Sequence, residues 1–120
     1  MKAQLIYNKA ERVRDVLRYI SRFKNSIIVI HIDDSLVDSP FYSSHIRDIA
    51  YLHEVGLKVI IVPGAKKHID TLLNNAGLQW KEIDGIRITS EKEMSIIKMA
   101  SFDMSNKIMT SLAEEHLTAV

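Results

Sequence analysis

The apolar positions change rhythm several times along the chain, and each change marks an element. Val13, Val16, Leu17, Ile20 and Phe23 recur at helical spacing, with Glu11, Arg12, Asp15 and Arg22 mostly on the other side. That pattern predicts an amphipathic helix over Asn8 to Phe23. SIIVIHI, from Ser26 to Ile32, is a continuous apolar run of strand length. The acidic, Ser-rich stretch DDSLVDSP reads as a turn, and Pro40 sits near the start of a helix over Phe41 to Val55. Ile46, Ile49, Ala50 and His53 form its inner face, and Gly56 stops it. Val59 to Val62 is a second apolar strand, broken off at Pro63-Gly64. Near-continuous apolar strands suit a parallel sheet covered by helices on both faces.

The second half has a different texture. A short helix is expected from Lys66 to Asn75, ended by Gly77. LQWKEI, Asp84-Gly85 and IRIT then spell a β-hairpin, because Asp-Gly suits a type I′ turn. Ser90 starts a further helix, with Glu93 placed to close a capping box. Met94, Ile96, Ile97 and Met104 supply its apolar side, with a break expected at Phe102-Asp103 and a last helix from Asn106 to Glu115. Thr118-Ala119-Val120 reads as the opening of another strand. The order is α-β-α-β-α-ββ-α-α-(β). It predicts an α/β three-layer sandwich with a mainly parallel sheet and an appended hairpin.

Length and composition narrow this picture. The chain has 120 residues, enough for one domain. Charged residues make up 26% and the formal net charge is +1, with Lys and Arg scattered along the helices. Nothing there points to nucleic acid or to a polybasic membrane contact. There is no cysteine, which excludes disulfides and thiolate metal sites. The polar N-terminus and the lack of a transmembrane-length apolar run lead us to expect a cytoplasmic protein.

Three stretches carry candidate chemistry. Alternation places His31 and Asp33 on one side of the first strand's end, next to Asp34 and Asp38. Such a set suits a metal or acid–base work, or simply a polar strand end followed by an Asx-type turn. With no third convergent ligand, no metal or cofactor is assigned. The second stretch is Val62 to His68, where Gly64 allows close backbone approach. The helix N-terminus with Lys66 or Lys67 favours an anion there, and a plain strand–helix connection with solvated lysines reads equally well. The third is Arg87, on the opposite face of its strand from Ile86 and Ile88. A lone strand Arg is usually exposed and structural; beside the Gly64 turn, it would clamp a carboxylate with two hydrogen bonds.

Two family resemblances bear on these residues. HIDDSLVDS resembles the first motif of haloacid-dehalogenase-type phosphatases, an Asp nucleophile followed two residues later by an acid–base Asp. Here His31 holds the nucleophile position, Asp34 the Gly and Ser35 the Thr, and Pro63 stands where a second-strand Thr or Ser is required. Only Asp33 is kept, so this resemblance implies an inactive relative.

The second resemblance covers nearly the whole chain. RVRDVLRYISRFKNSIIVIHI, DIAYLHEVGLKVIIVPGAKKHID and DGIRITSEKEMSIIK resemble, in order and spacing, the first half of the amino-acid kinase fold. The nearest pattern is the acetylglutamate-kinase-like domain of N-acetylglutamate synthases. The resemblance implies that Gly64, Ala65 and Arg87 hold an acyl-amino-acid ligand. The kinases place a Lys and a Gly-Gly pair at the end of the first strand to hold the transferred phosphate; His31, Asp33 and Asp34 stand there instead. Carboxylates repel a phosphate and Asp lacks the backbone freedom of Gly, so phosphoryl transfer is not expected. Ser90 replaces an Asp of the kinase pattern, and Pro63 takes a position that is aromatic or His in relatives.

On that resemblance, residues 1–120 are expected to form the N-terminal half of the domain, ending where the family's nucleotide half begins. The acetyltransferase domain of the synthases is expected to be absent, leaving a chain that is catalytically inactive alone. The roles implied are binding of an acyl-amino acid or arginine, self-association as a homo-oligomer through Tyr19, Ile20 and Phe23 (unless the leading helix simply covers its own sheet), or assistance to a separate acetyltransferase chain of arginine biosynthesis. The alternative is a regulatory module that binds acetylglutamate or arginine without catalysis.

Overall fold

A computed structural model describes residues 1–120. Two parallel strands, β1 (Ile27–Ile32) and β2 (Lys58–Pro63), pair in register from Ile27 opposite Lys58 to Ile32 opposite Pro63. Parallel strands need a crossover, and helix α3 (Tyr42–Glu54) supplies it. Helix α5 (Glu91–Glu114) lies beside α3 on the same side of the sheet, and the Tyr42 hydroxyl donates to Ser111 Oγ at 3.0 Å between them. Ile32, Ile46, Ile49, Met104, Ile108 and Leu112 interdigitate there as the core. Helix α4 (Lys66–Asn75) packs on α5 and on the short helix α2 (Asp34–Val37).

A separate hairpin, β3 (Lys81–Ile83) and β4 (Ile86–Ile88), follows α4. Asp84 and Gly85 both have positive φ, 52° and 77°, as a type I′ turn demands. Ser90 then caps α5 with the expected capping box: its hydroxyl accepts from Glu93 N–H, and the Glu93 carboxylate accepts from Ser90 N–H at 2.7 Å.

The mixed α/β architecture with a parallel sheet is as expected, and four local expectations are corrected. The first helix, α1, runs from Lys2 to Phe23 rather than starting at Asn8. The acidic turn contains helix α2, because the Asp33 side chain accepts from Ser35 N–H at 2.8 Å and so caps it. No break occurs at Phe102-Asp103. Phe102 is exposed and Asp103 lies on the flank toward α4, beside His68, while Ala100, Met104, Ile108 and Leu112 keep one unbroken i+4 row against the core. Thr118 to Val120 form no strand.

The sheet is also covered on one face only. Ile28, Ile30, Ile32, Val59 and Ile61 point toward the helices, whereas Ile27, Val29, Ile60 and Val62 stay between 44% and 64% exposed. Alternation along a strand sends neighbouring side chains to opposite faces, and here only one has a cover. Helix α1 buries no residue at all.

Candidate functional site

The strand ends and the head of α4 come together as the sequence implied. Gly64 N–H donates to Ile32 C=O at 2.7 Å, which carries the sheet ladder one residue past β2. A Cβ on Gly64 would sit 2.8 Å from His31 Nε2 and 3.4 Å from Asp33 Cα. Gly64 has no positive φ, so what a side chain there would meet is the His31 ring, which would have to move aside, while the backbone of the neighbouring strand lies at ordinary contact distance. Ala65 is buried in the core and is the N-cap residue of α4, with no side chain able to cap it.

That missing cap is supplied from across the turn. The Asp34 carboxylate, buried, accepts from His68 N–H at 2.8 Å, the third residue of α4. Helix N-termini expose unpaired N–H groups with a partial positive charge. Here one of those groups is already bound to an anion that belongs to the chain itself. Asp33, next door, is exposed and its carboxyl lies below the usual carboxylate range. The Ser35 hydroxyl is the main cause, followed by the Ser35 N–H, a hydrogen bond with Asp34 and the charge of His31.

Arg87 does not lie exposed on its strand. Its side chain is 15% exposed and pairs with Asp70 on α4, with the guanidinium 4.6 Å above the Trp80 ring. Arg87 Nη1 is buried without a hydrogen-bond partner. Ile86 and Ile88, the two apolar neighbours, face solvent instead. Asp70 lies one helical turn beyond Lys66, about 6 Å along the axis. Gly64, Ala65 and Arg87 are thus all anchored to α4, the first two at its head and Arg87 on its flank.

Asp70 and Trp80 escaped the sequence reading, as did the capping role of Asp34. Asp34 caps a helix 32 residues further on, a relation that local capping patterns do not show. A cleft of about 290 Å³ beside the α4 head is lined by Asp38, Lys67, His68 and Asp103 among others. Within it Lys67 pairs with Asp38 at 3.4 Å, and the His68 ring lies 3.6 Å from the Asp103 carboxylate. A larger apolar cleft of about 600 Å³ follows the outer edge of β2 and includes neither Gly64 nor Arg87. No three His, Asp or Glu side chains converge in a way that would hold a metal ion.

A β-strand–Gly–helix turn with a hairpin Arg brought to the same helix defines a class, and comparison with known proteins agrees. The chain belongs to the amino acid kinase family, whose model matches residues 8–120. It is 34% identical over 108 residues to the acetylglutamate kinase of Campylobacter fetus, covering 89% of this chain and 39% of that kinase. To the acetylglutamate kinase of Acinetobacter baylyi it is 34% identical over 110 residues, 91% of this chain and 36% of the other. The chain therefore spans a little over a third of the length of these relatives. In fold, it is similar to N-acetylglutamate synthase from Neisseria gonorrhoeae complexed with coenzyme A and N-acetyl-glutamate. The TM-score is 0.73 at 20% identity, over 87% of this chain and 24% of the synthase. The same enzyme complexed with coenzyme A and L-arginine gives a TM-score of 0.71 at 21% identity, over 82% of this chain and 23% of the synthase. Membership of this family sets aside the phosphatase resemblance of HIDDSLVDS.

Proposed function

We propose that this chain is a non-catalytic ligand-binding member of the amino acid kinase family, taking an acyl-amino acid such as N-acetylglutamate and transferring no phosphoryl group by itself. The observation that carries the reading is the Asp34 carboxylate seated on the α4 N-terminus. Phosphoryl transfer needs positive groups and free N–H donors around the phosphate. At the end of β1, this chain presents Asp33 and Asp34, and one α4 donor is already taken. Like charges repel, so these carboxylates disfavour a phosphate at this strand end.

The ligand half of the proposal rests on Arg87. Arg87 Nη1 is a buried donor without a partner, and a guanidinium released from its pairing with Asp70 suits a carboxylate with two hydrogen bonds. Solved relatives in complex with N-acetyl-glutamate and with L-arginine make both amino acids the ligands to try. Gly64 and Ala65 would supply backbone contact at the head of the same helix. A role in self-association, or beside a separate acetyltransferase chain, is compatible with this reading.

Calorimetric titration with N-acetylglutamate and with arginine, on wild type and Arg87→Ala, tests the binding. We expect heat with one of the two and its loss in the variant. An ADP-release assay with ATP, magnesium and N-acetylglutamate tests the other half. Silence with both ligands would overturn the binding module, and ADP formation that depends on N-acetylglutamate would overturn the non-catalytic reading.

A further inference from the structure

Helix α1 stands off the body of the molecule with its apolar side bare, and its charges are arranged around that side. We infer that α1 is an interfacial helix that docks this chain on an anionic lipid bilayer. It lies along the surface, with its apolar stripe at the acyl chains and its Lys and Arg side chains among the headgroups. The inference goes beyond the ligand reading above and does not rest on it.

The stripe comes first. At about 100° per residue, Leu5, Ile6, Val13, Val16, Leu17 and Phe23 fall within about 120° of the α1 surface, with Ile20 among them. The six are 44–64% exposed, Ile20 is half-buried, and α1 buries no residue. The connector to β1 holds the helix away from the core. Asn25, at φ 69°, donates its N–H to Gly56 C=O at 2.8 Å, and Ser26 N–H donates to Phe23 C=O at 2.9 Å. The molecule is 65 Å long with a radius of gyration of 19.8 Å. A compact chain of this length would have a radius of gyration of about 14 Å.

The charges single out the occupant. On α1, six Lys and Arg stand against two acids, a net charge of +4, whereas the whole chain carries +1. The positive charge of the protein is therefore concentrated on this helix, and the remainder is net acidic. Around the helix, Arg12 and Tyr19 border one edge of the stripe, and Arg14 and Tyr7 border the other. Glu11 and Asp15, the only acids, lie on the far side and pair with Arg14 and Arg18. Lys2, Lys9, Arg12 and Arg22 have no carboxylate partner, and Arg22 lies 5.6 Å from the Phe23 ring centre. Lys2 and Lys9 start within the stripe, and their long stems carry the ammonium groups outward from it.

An anionic bilayer answers both halves of this pattern. Branched apolar side chains enter the acyl boundary, aromatic and basic side chains settle at headgroup level, and the acids face water. RNA or DNA would engage the basic residues and leave the stripe bare. No helix is long and apolar enough to cross a membrane, so the orientation is along the surface, where the stripe from Leu5 to Phe23 runs about 27 Å. Each basic residue held near such a surface strengthens binding about fivefold.

The test is co-sedimentation of the full chain with vesicles. Wild type is expected to pellet with vesicles of phosphatidylglycerol and phosphatidylcholine in equal parts, and to be released as salt is raised. With phosphatidylcholine alone it should stay in solution. Leu17→Glu places a carboxylate in the stripe and should weaken binding by about tenfold or more. Arg12→Gln should weaken it about fivefold. Circular dichroism confirms that both variants are folded, and Ile86→Glu, at an exposed isoleucine on the hairpin, should bind as wild type does. Wild type left in solution with the anionic vesicles would overturn the inference. Equal binding to neutral vesicles, or unchanged binding by Leu17→Glu, would do the same. A stable oligomer that ignores the vesicles would overturn it in favour of α1 packing on protein. Binding to polyuridine RNA with none to the vesicles would overturn it in favour of nucleic acid.

Discussion

Asp34→Ala removes the one side chain that caps α4, together with its hydrogen bond to Asp33. Asp34 is buried and its carboxylate accepts from His68 N–H at 2.8 Å, while Ala65, the residue at the N-cap position, offers no side-chain bond. Loss of an N-cap costs about 1 kcal/mol, and loss of a charged acceptor near the helix dipole adds a few tenths or more. We therefore expect Asp34→Ala to lose about 1–2 kcal/mol, read as a shift in urea midpoint at constant slope. The melting temperature should fall by about 4–8 °C for a chain of this size. Asp34→Asn, which keeps an acceptor and drops the charge, should recover more than half of that loss. The variant also frees the helix end, so phosphate or sulfate should stabilise Asp34→Ala more than wild type, since a ligand that binds only the folded state stabilises it by an amount that rises with the logarithm of its concentration over Kd. An Asp34→Ala variant within about 0.3 kcal/mol of wild type, within ordinary scatter for surface changes, would refute the capping argument. Equal stabilisation of both proteins by phosphate would refute its electrostatic half.

Other substitutions probe the remaining contacts. Leu73 is fully buried, at 0% exposure, so Leu73→Ala should cost about 2–5 kcal/mol in the same urea assay. Arg87→Ala and Asp70→Asn each break a largely desolvated pair and strip Trp80 of its cation or the Arg of its counter-charge. Each should destabilise by about 1–3 kcal/mol, and the double mutant by clearly less than their sum. Asp33 has a lowered pKa in the folded chain, so its contribution to stability is present above the ordinary value of 3.8 and is lost as pH falls through the folded value. Asp33→Asn should therefore flatten the stability profile below about pH 4 and leave the slope near pH 7 unchanged.

Much of this fold was legible because local chemistry and tertiary context agree. Helix α4 begins and ends where Gly64 and Gly77 place it, and Asp84-Gly85 makes the hairpin turn it spells. The Ser90–Glu93 capping box forms as written, since both partners lie within one turn. Where the reading failed, a relation between distant residues or between faces decided the outcome. Phe102-Asp103 was expected to interrupt the helix, yet Phe102 is exposed, Asp103 reaches toward His68 on α4, and the inner row runs on past both. Arg87 looked like an exposed strand residue, and its burial follows from Asp70 and Trp80, which sequence spacing does not bring together. The strand–Gly–helix order put Gly64 and Ala65 just ahead of α4, and they lie there. The carboxylate that closes the α4 end was not legible, because Asp34 reaches it through space.

The central claim is that an acyl-amino acid is held along α4 between its head and Arg87. An isotope-labelled chain titrated with N-acetylglutamate tests it residue by residue in nitrogen–proton correlation spectra. We expect saturable shifts at the Gly64 and Ala65 amides and at the Trp80 indole N–H that neighbours Arg87, all following one binding curve and all abolished by Arg87→Ala. No shift at these groups at millimolar ligand, or the same shifts persisting in Arg87→Ala, would contradict the account.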